Sequence, residues 1–175
     1  MLRIVLAFVL VLAFAPAASA QGDLLTLETT KGKIVIRLRA DLAPKHAERL
    51  KTLAKEGFYN NVPFHRVIAG FMAQTGDGQR GDGTGGSKYP NLPAEFSNLP
   101  FKRGIVGMAR RGDSIHSANS QFFIMYADAP GLNGQYTVIG EVVSGMDVLD
   151  KLNKGSGEMG MVQNPDKIVR ATVGG

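Results

Sequence analysis

Short runs of alternating apolar residues recur along most of this chain, only two segments carry a helical period, and glycine is frequent, with 22 among 175 residues. Short strands at regular spacing with few helices among them point to a mainly β protein whose antiparallel sheet is closed or nearly closed on itself. The length suits one domain with a substantial core and is short for two. No internal repeat or linker divides it.

The first twenty residues stand apart from that domain. Arg3 precedes the uncharged run Ile4 to Ala15, and then come Pro16 and the small residues Ala17, Ala18, Ser19 and Ala20. This order is that of a secretory leader cleaved after Ala20, and the apolar run is shorter than the about 20 residues a membrane span needs. Residues 1–20 are thus expected to be a cleaved signal peptide and residues 21–175 a single mature domain, periplasmic or secreted. The chain has no cysteine, so an exported form must be stable by packing alone.

The stretch "LLTLETTKGKIVIRLR" reads as a hairpin with one buried face, carrying Leu25, Leu27, Ile34, Ile36 and Leu38, with Lys31 and Gly32 at its turn. The period then changes. Asp41 is placed to cap a helix running from about Ala43 to Glu56, Pro44 fits its first turn, Ala47, Leu50, Leu53 and Ala54 share one face, and Gly57 stops it. His46 on this helix is expected to be exposed. Strands are expected at Phe64 to Val67, Phe71 to Gln74, Gly104 to Ala109, Gln121 to Tyr126, Tyr136 to Val143 and Lys167 to Val173. A second helix, Gly145 to Leu152, would start from a Ser144 cap and bury Met146, Leu149 and Leu152.

Several chemistries find no support. His46, His65 and His116 lack metal-ligand spacing, and there is neither a cysteine nucleophile nor a G-x-S-x-G elbow. The tract "GDGQRGDGTGG" is followed by Ser87-Lys88, the reverse of a phosphate-loop order, and its aspartates do not match a calcium loop. It reads as a long surface loop with unusual backbone angles. The net charge of +5 is dispersed, which gives no reason to expect nucleic acid as a partner.

What remains is "FHRVIAGFMAQTGDG", residues 64–78, an apolar run that keeps Arg66 and Gln74. Rotation about a peptide bond is opposed by a barrier of about 18–20 kcal/mol, because the nitrogen lone pair is delocalised into the carbonyl. X-Pro bonds populate both isomers and exchange slowly enough for folding to wait on them. A catalyst needs an apolar slot for the proline ring, a permanent cation to draw on the prolyl nitrogen, and a polar anchor for the backbone. Phe71, Met72 and Phe123 could line the slot, Arg66 could be the donor and Gln74 the anchor.

"FHRVIAGFMAQTGD" together with "HSANSQFFI", residues 116–124, resembles the cyclophilin family of peptidyl-prolyl isomerases. The likeness extends over "APKHAERLKTLAKEGFYNN", "GTGGSKYP", "GIVGMA", "LNGQYTVIGEVVSGM" and "NPDKIV", nearly the whole mature chain. The resemblance implies an eight-stranded antiparallel β-barrel capped by two α-helices. It places the catalytic arginine at Arg66, the backbone-anchoring glutamine at Gln74, the proline pocket at Phe71, Met72, Phe123 and Leu132, and a supporting residue at Gln121. Ala109 and Arg110 match a segment at the edge of the site whose main chain can bond substrate. Two departures matter. Gly131 stands where the family often has tryptophan or another aromatic, so weak cyclosporin inhibition is expected, and Tyr136 stands where many members have histidine. The loop "RRGDSIHSANS" is also a residue longer than usual. His65 reads as structural rather than as a base.

The expected function is therefore acceleration of X-Pro isomerisation in folding proteins. No cofactor or metal is expected, proline-containing unfolded or nascent polypeptides would be the partners, and the protein would act as a monomer without stable membrane association. A proline-peptide binding module or chaperone without turnover is the alternative, and a hydrolase is a more distant one.

Overall fold

The computed structural model describes residues 22–174. The expected leader, residues 1–20, lies outside the described residues.

Among the described residues, nine strands and two α-helices follow one another as β1 Leu24–Thr29, β2 Gly32–Leu38, α1 Pro44–Lys55, β3 Val62–Pro63, β4 Arg66–Ile68, β5 Met72–Thr75, β6 Ile105–Met108, β7 Phe122–Met125, β8 Val138–Ser144, α2 Met146–Asp150 and β9 Lys167–Val173. They form one sheet in the order β3-β9-β1-β2-β8-β6-β7-β5-β4, with every pairing antiparallel. The two ends of that order, β3 and β4, are consecutive in the chain and separated only by Phe64 and His65, so the sheet curls until its ends come together.

The strand count exceeds the expected eight by one. The extra strand is β3, a two-residue ladder in which Val62 faces Ile168 and Pro63 faces Lys167. So short a segment, half of it proline, has no alternation to read. The strand expected at Phe64 to Val67 starts later than expected, because the Phe64 N–H donates to the Asp166 carbonyl at 2.8 Å and pairing with β5 begins only at Arg66.

Burial follows the period of each element. Leu25 faces Ile36 and Leu27 faces Ile34 across the hairpin, and all four are fully buried against Ala47, Leu50 and Leu53 of α1. Helix α1 departs from expectation at its start. Ala43 occupies the cap position with no side-chain bond, because Asp41 instead accepts two bonds from the Arg39 guanidinium, at 2.8 and 2.7 Å. The open N–H groups of Lys45 and His46 are taken by the Glu95 carboxylate, at 3.3 and 3.2 Å, a cap supplied from 49 residues away along the chain.

His46 also departs from expectation, since it is fully buried rather than exposed. Its Nδ1 lies 2.6 Å from Glu95 Oε2; a carboxylate cannot donate, so Nδ1 carries the proton and Nε2 is left as a buried nitrogen without a partner. Helix α2 departs as well. Ser144 ends β8, and the helix starts from Gly145 at φ +95° without a side-chain cap. An added Cβ there would lie 2.3 Å from the Lys33 carbonyl oxygen, so the turn requires glycine. Leu149 and Leu152 are buried as expected, whereas Met146 is only half-buried.

Two buried histidines make stability pH-dependent. Desolvation lowers the His46 pKa below its ordinary 6.5, against the opposing pull of Glu95. Desolvation likewise lowers His65 below 6.5, against Asp77. Both rings therefore bind fewer protons folded than unfolded, and stability falls as pH drops below about 6.5, by at most about 1.4 kcal/mol per pH unit per ring. Thermal melts should show a constant midpoint above about pH 7 and a declining one from pH 6.5 to 5; a midpoint that rises on acidification would contradict this.

Candidate active site

The site is built on one face of strands β4 to β7. Arg66 faces Gln74 and Ile68 faces Met72 across β4 and β5; Gln74 faces Phe123 and Met72 faces Met125 across β5 and β7. Alternation then sends Val67, Ala73, Phe122 and Ile124 into the main core and gathers Met72, Phe123 and Met125 with Phe101, Ile105 and Val138 in a second apolar cluster on the other side. Arg66 and Gln74 share that second face, which answers why an apolar run keeps them.

A cavity of about 180 Å³ opens on this face. Its apolar wall is Phe71, Met72, Phe123, Leu132 and Tyr136, and its polar edge is Arg66, Gln74, Ala109 and Arg110. These are nine of the ten residues that the sequence nominated. The tenth, Gln121, lines an adjoining polar cavity of about 340 Å³ that shares Gln74, Ala109 and Arg110 with the first.

The floor depends on a residue without a side chain. Gly107 faces Phe123 across β6 and β7, and an added Cβ would lie 2.6 Å from the Phe123 ring and 2.7 Å from Phe101. Phe123 and Phe101 can therefore stack, with centroids 5.7 Å apart and planes at 24°, while Tyr136 meets Phe123 edge-on at 5.5 Å. Phe101 was not nominated from sequence; nothing in "NLPFKRG" distinguishes it from any core phenylalanine.

The arginine head is held on one side. Its Nε donates to the Met159 carbonyl at 2.9 Å and its Nη1 to Gln74 Oε1 at 3.2 Å, and among the described residues Nη2 has no protein partner. Gln74 Nε2 donates to Gln121 Oε1 at 3.0 Å, and Gln121 Nε2 donates to the carbonyls of Gly83 and Gly85 at 2.9 and 2.8 Å. The N–H groups of the same two glycines donate to Asp77 Oδ2, each at 2.9 Å. Every bond in this chain donates in one direction, from a guanidinium towards a carboxylate.

Asp77 is the other residue that the sequence reading missed. It is 1% exposed and its Oδ1 also accepts from the N–H groups of Gln79 and Arg80, at 3.2 and 2.9 Å. Burial would raise its carboxyl, but the N–H groups of Arg80, Gly85, Gly83 and Gly81 outweigh it and hold the pKa below the usual value. The glycine tract is thus a loop wound round a carboxylate, with Gly76, Gly81 and Gly83 at φ +93°, +73° and +91°. His65 packs beneath it, its Nε2 beside Gly83, and lines neither cavity.

The sequence model of the family "Cyclophilin type peptidyl-prolyl cis-trans isomerase/CLD" matches residues 24–173. A probable peptidyl-prolyl cis-trans isomerase of Brucella suis is 56% identical over 170 residues, covering 91% of this chain and 86% of its own. A peptidyl-prolyl cis-trans isomerase of Helicobacter pylori is 44% identical over 134 residues, covering 74% and 80%. Among solved structures, a cyclophilin type peptidyl-prolyl cis-trans isomerase of Cryptosporidium parvum, crystallised in the presence of the dipeptide Ala-Pro, superposes with a TM-score of 0.79 at 28% identity, covering 87% of this chain and 99% of that one. Family, relatives and fold agree: the chain belongs to the cyclophilin-type peptidyl-prolyl cis-trans isomerases.

Proposed function

We propose that this isomerase works by seating the substrate proline ring in the 180 Å³ apolar cavity and directing Arg66 at the prolyl nitrogen. The observation that carries this reading is the placement of Arg66. Two of its donors are fixed on Met159 and Gln74, Nη2 has no protein partner among the described residues, and Arg66 lines a slot walled by Phe71, Met72, Phe123 and Leu132. A hydrogen bond to the prolyl nitrogen localises the lone pair that resists rotation, and lowers the barrier without forming or breaking a bond. Gln74 would anchor the substrate backbone, with Gln121 holding Gln74 in place. That a related structure was solved with Ala-Pro present supports a proline peptide as the occupant.

Relaxation of the cis isomer of an Ala-Ala-Pro-Phe peptide tests the reading. The purified protein should accelerate it strongly; tight peptide binding without acceleration would instead make the cleft a binding module. Because arginine keeps its charge and, among the described residues, no histidine lines either cavity, kcat/KM should be nearly flat from pH 7 to 9. A bell with a limb near pH 7 would contradict a mechanism without proton transfer.

We also propose that residues 1–20 are removed on export, so that the enzyme acts on unfolded polypeptides in the periplasm or outside the cell. The mass of the protein recovered from its native host should correspond to a chain starting at Gln21; an intact Met1 start would overturn this.

A further inference from the structure

We infer that Arg110 makes this enzyme selective for substrates with an acidic side chain within two residues of the proline. The inference rests on the reading of the apolar cavity as the proline slot. Arg110 lines both cavities; its guanidinium lies against Tyr136 of the slot and bonds the carbonyl of Arg111 of the polar cavity, so a residue next to a seated proline would lie beside it.

The head is preorganised. Its Nε donates to the Gln135 carbonyl at 3.0 Å and its Nη1 to the Arg111 carbonyl at 2.9 Å, while the guanidinium carbon lies 4.7 Å from the centre of the Tyr136 ring. Among the described residues Nη2 has no protein partner. A carboxylate arriving here meets a guanidinium whose position is already set, so little side-chain freedom is lost on binding.

The surrounding charges leave that cation unopposed. Among the described residues, no aspartate or glutamate lines either cavity. Arg111 lines the polar cavity but is paired with Asp113 at 3.0 Å. Across the opening, Thr84 links one acid and one base: its N–H and Oγ1 donate to Asp82 Oδ1, at 2.8 and 2.6 Å, and its Oγ1 accepts from Arg80 Nη1 at 3.3 Å. Asp77 lies buried under the loop and is engaged by backbone N–H groups. Arg66 and Arg110 therefore remain as the two uncompensated charges facing the groove, and the second of them is the one beside the polar space.

The test uses capped, uncharged-ended peptides with Glu, Gln or Lys placed in turn at each of the two positions before and the two after the proline. In low salt the Glu peptide at the responsive position should show kcat/KM about tenfold above the Lys peptide, with Gln between them, and the ratio should shrink towards one as salt screens the groove. In Arg110→Gln the ratio should fall to near one whatever happens to the Gln-peptide rate, and in Arg111→Gln it should persist. Equal Glu and Lys rates in the wild-type protein, or an undiminished ratio in Arg110→Gln, would overturn the inference while leaving the proline-slot reading intact. If no peptide were accelerated, that reading would fail, and calorimetric affinities of the Glu and Lys peptides would decide the charge preference separately. Should Arg110→Gln fail to fold, Arg110→Lys in the same series should retain the sign of the preference, and its reversal would count against Arg110.

Discussion

Arg66→Lys should lower kcat/KM for a proline peptide about 100-fold, the range seen when one preorganised donor to developing charge is removed, although the positive charge is kept. The reason is geometric. The native head donates to Met159 through Nε and to Gln74 through Nη1, which leaves Nη2 without a protein partner among the described residues, in a residue that lines the slot. A lysine ammonium is a compact, strongly hydrated point charge on a flexible stem and cannot hold two anchors in a plane while offering a third donor in a set direction. The walls of the slot are untouched, so peptide affinity, followed by titration, should change little, and the loss should appear in kcat. A lysine variant within a few-fold of the native rate would mean that charge alone suffices.

Asp77→Asn should lower kcat/KM about tenfold without touching the cleft, because small displacements of a catalytic group are costly. Asp77 offers two oxygens to four backbone N–H groups. Asparagine replaces one oxygen by an NH2 group that must confront donors, and a buried set of unsatisfied N–H groups costs about 1–3 kcal/mol. The loop carbonyls of Gly83 and Gly85 then lose their position, and with them Gln121, Gln74 and Arg66 in turn. A double-mutant cycle separates this relay from general loosening. In a Gln121→Leu background the chain is already cut, so Asp77→Asn should reduce the rate little further. Additive losses would show that the loop acts by another route.

These residues also mark what could be read in the amino-acid order. Elements whose partners are local, or whose apolar period is long, were legible: β9 lies where its alternation put it, at Lys167–Val173, and the β1–β2 hairpin keeps its expected buried face. The cleft was legible because Arg66 and Gln74 lie only eight positions apart and face each other across one hairpin, and because the family resemblance supplied Leu132, Tyr136 and Ala109 from distant segments. The glycine tract read as a loop with unusual angles, but its organising carboxylate did not, since an aspartate among glycines is as readily a turn residue. The Glu95 cap and the burial of His46 depend on one contact made across 49 positions, and local propensity carries no trace of it. Likewise β3 exists only because β9 is there to pair with.

In the proposed mechanism Arg66 accelerates rotation about a proline peptide bond that the apolar slot binds independently of it. Equilibrium exchange spectroscopy by NMR on an Ala-Pro-containing peptide, with native protein and with Arg66→Ala at matched occupancy, measures binding and rotation in one sample. Shift changes on the peptide are expected with both proteins, together with cis-trans exchange cross-peaks that are strong with the native protein and exchange at least about 100-fold slower with the variant. Exchange that persists at the native rate in Arg66→Ala, or native protein that binds without producing exchange, would contradict it.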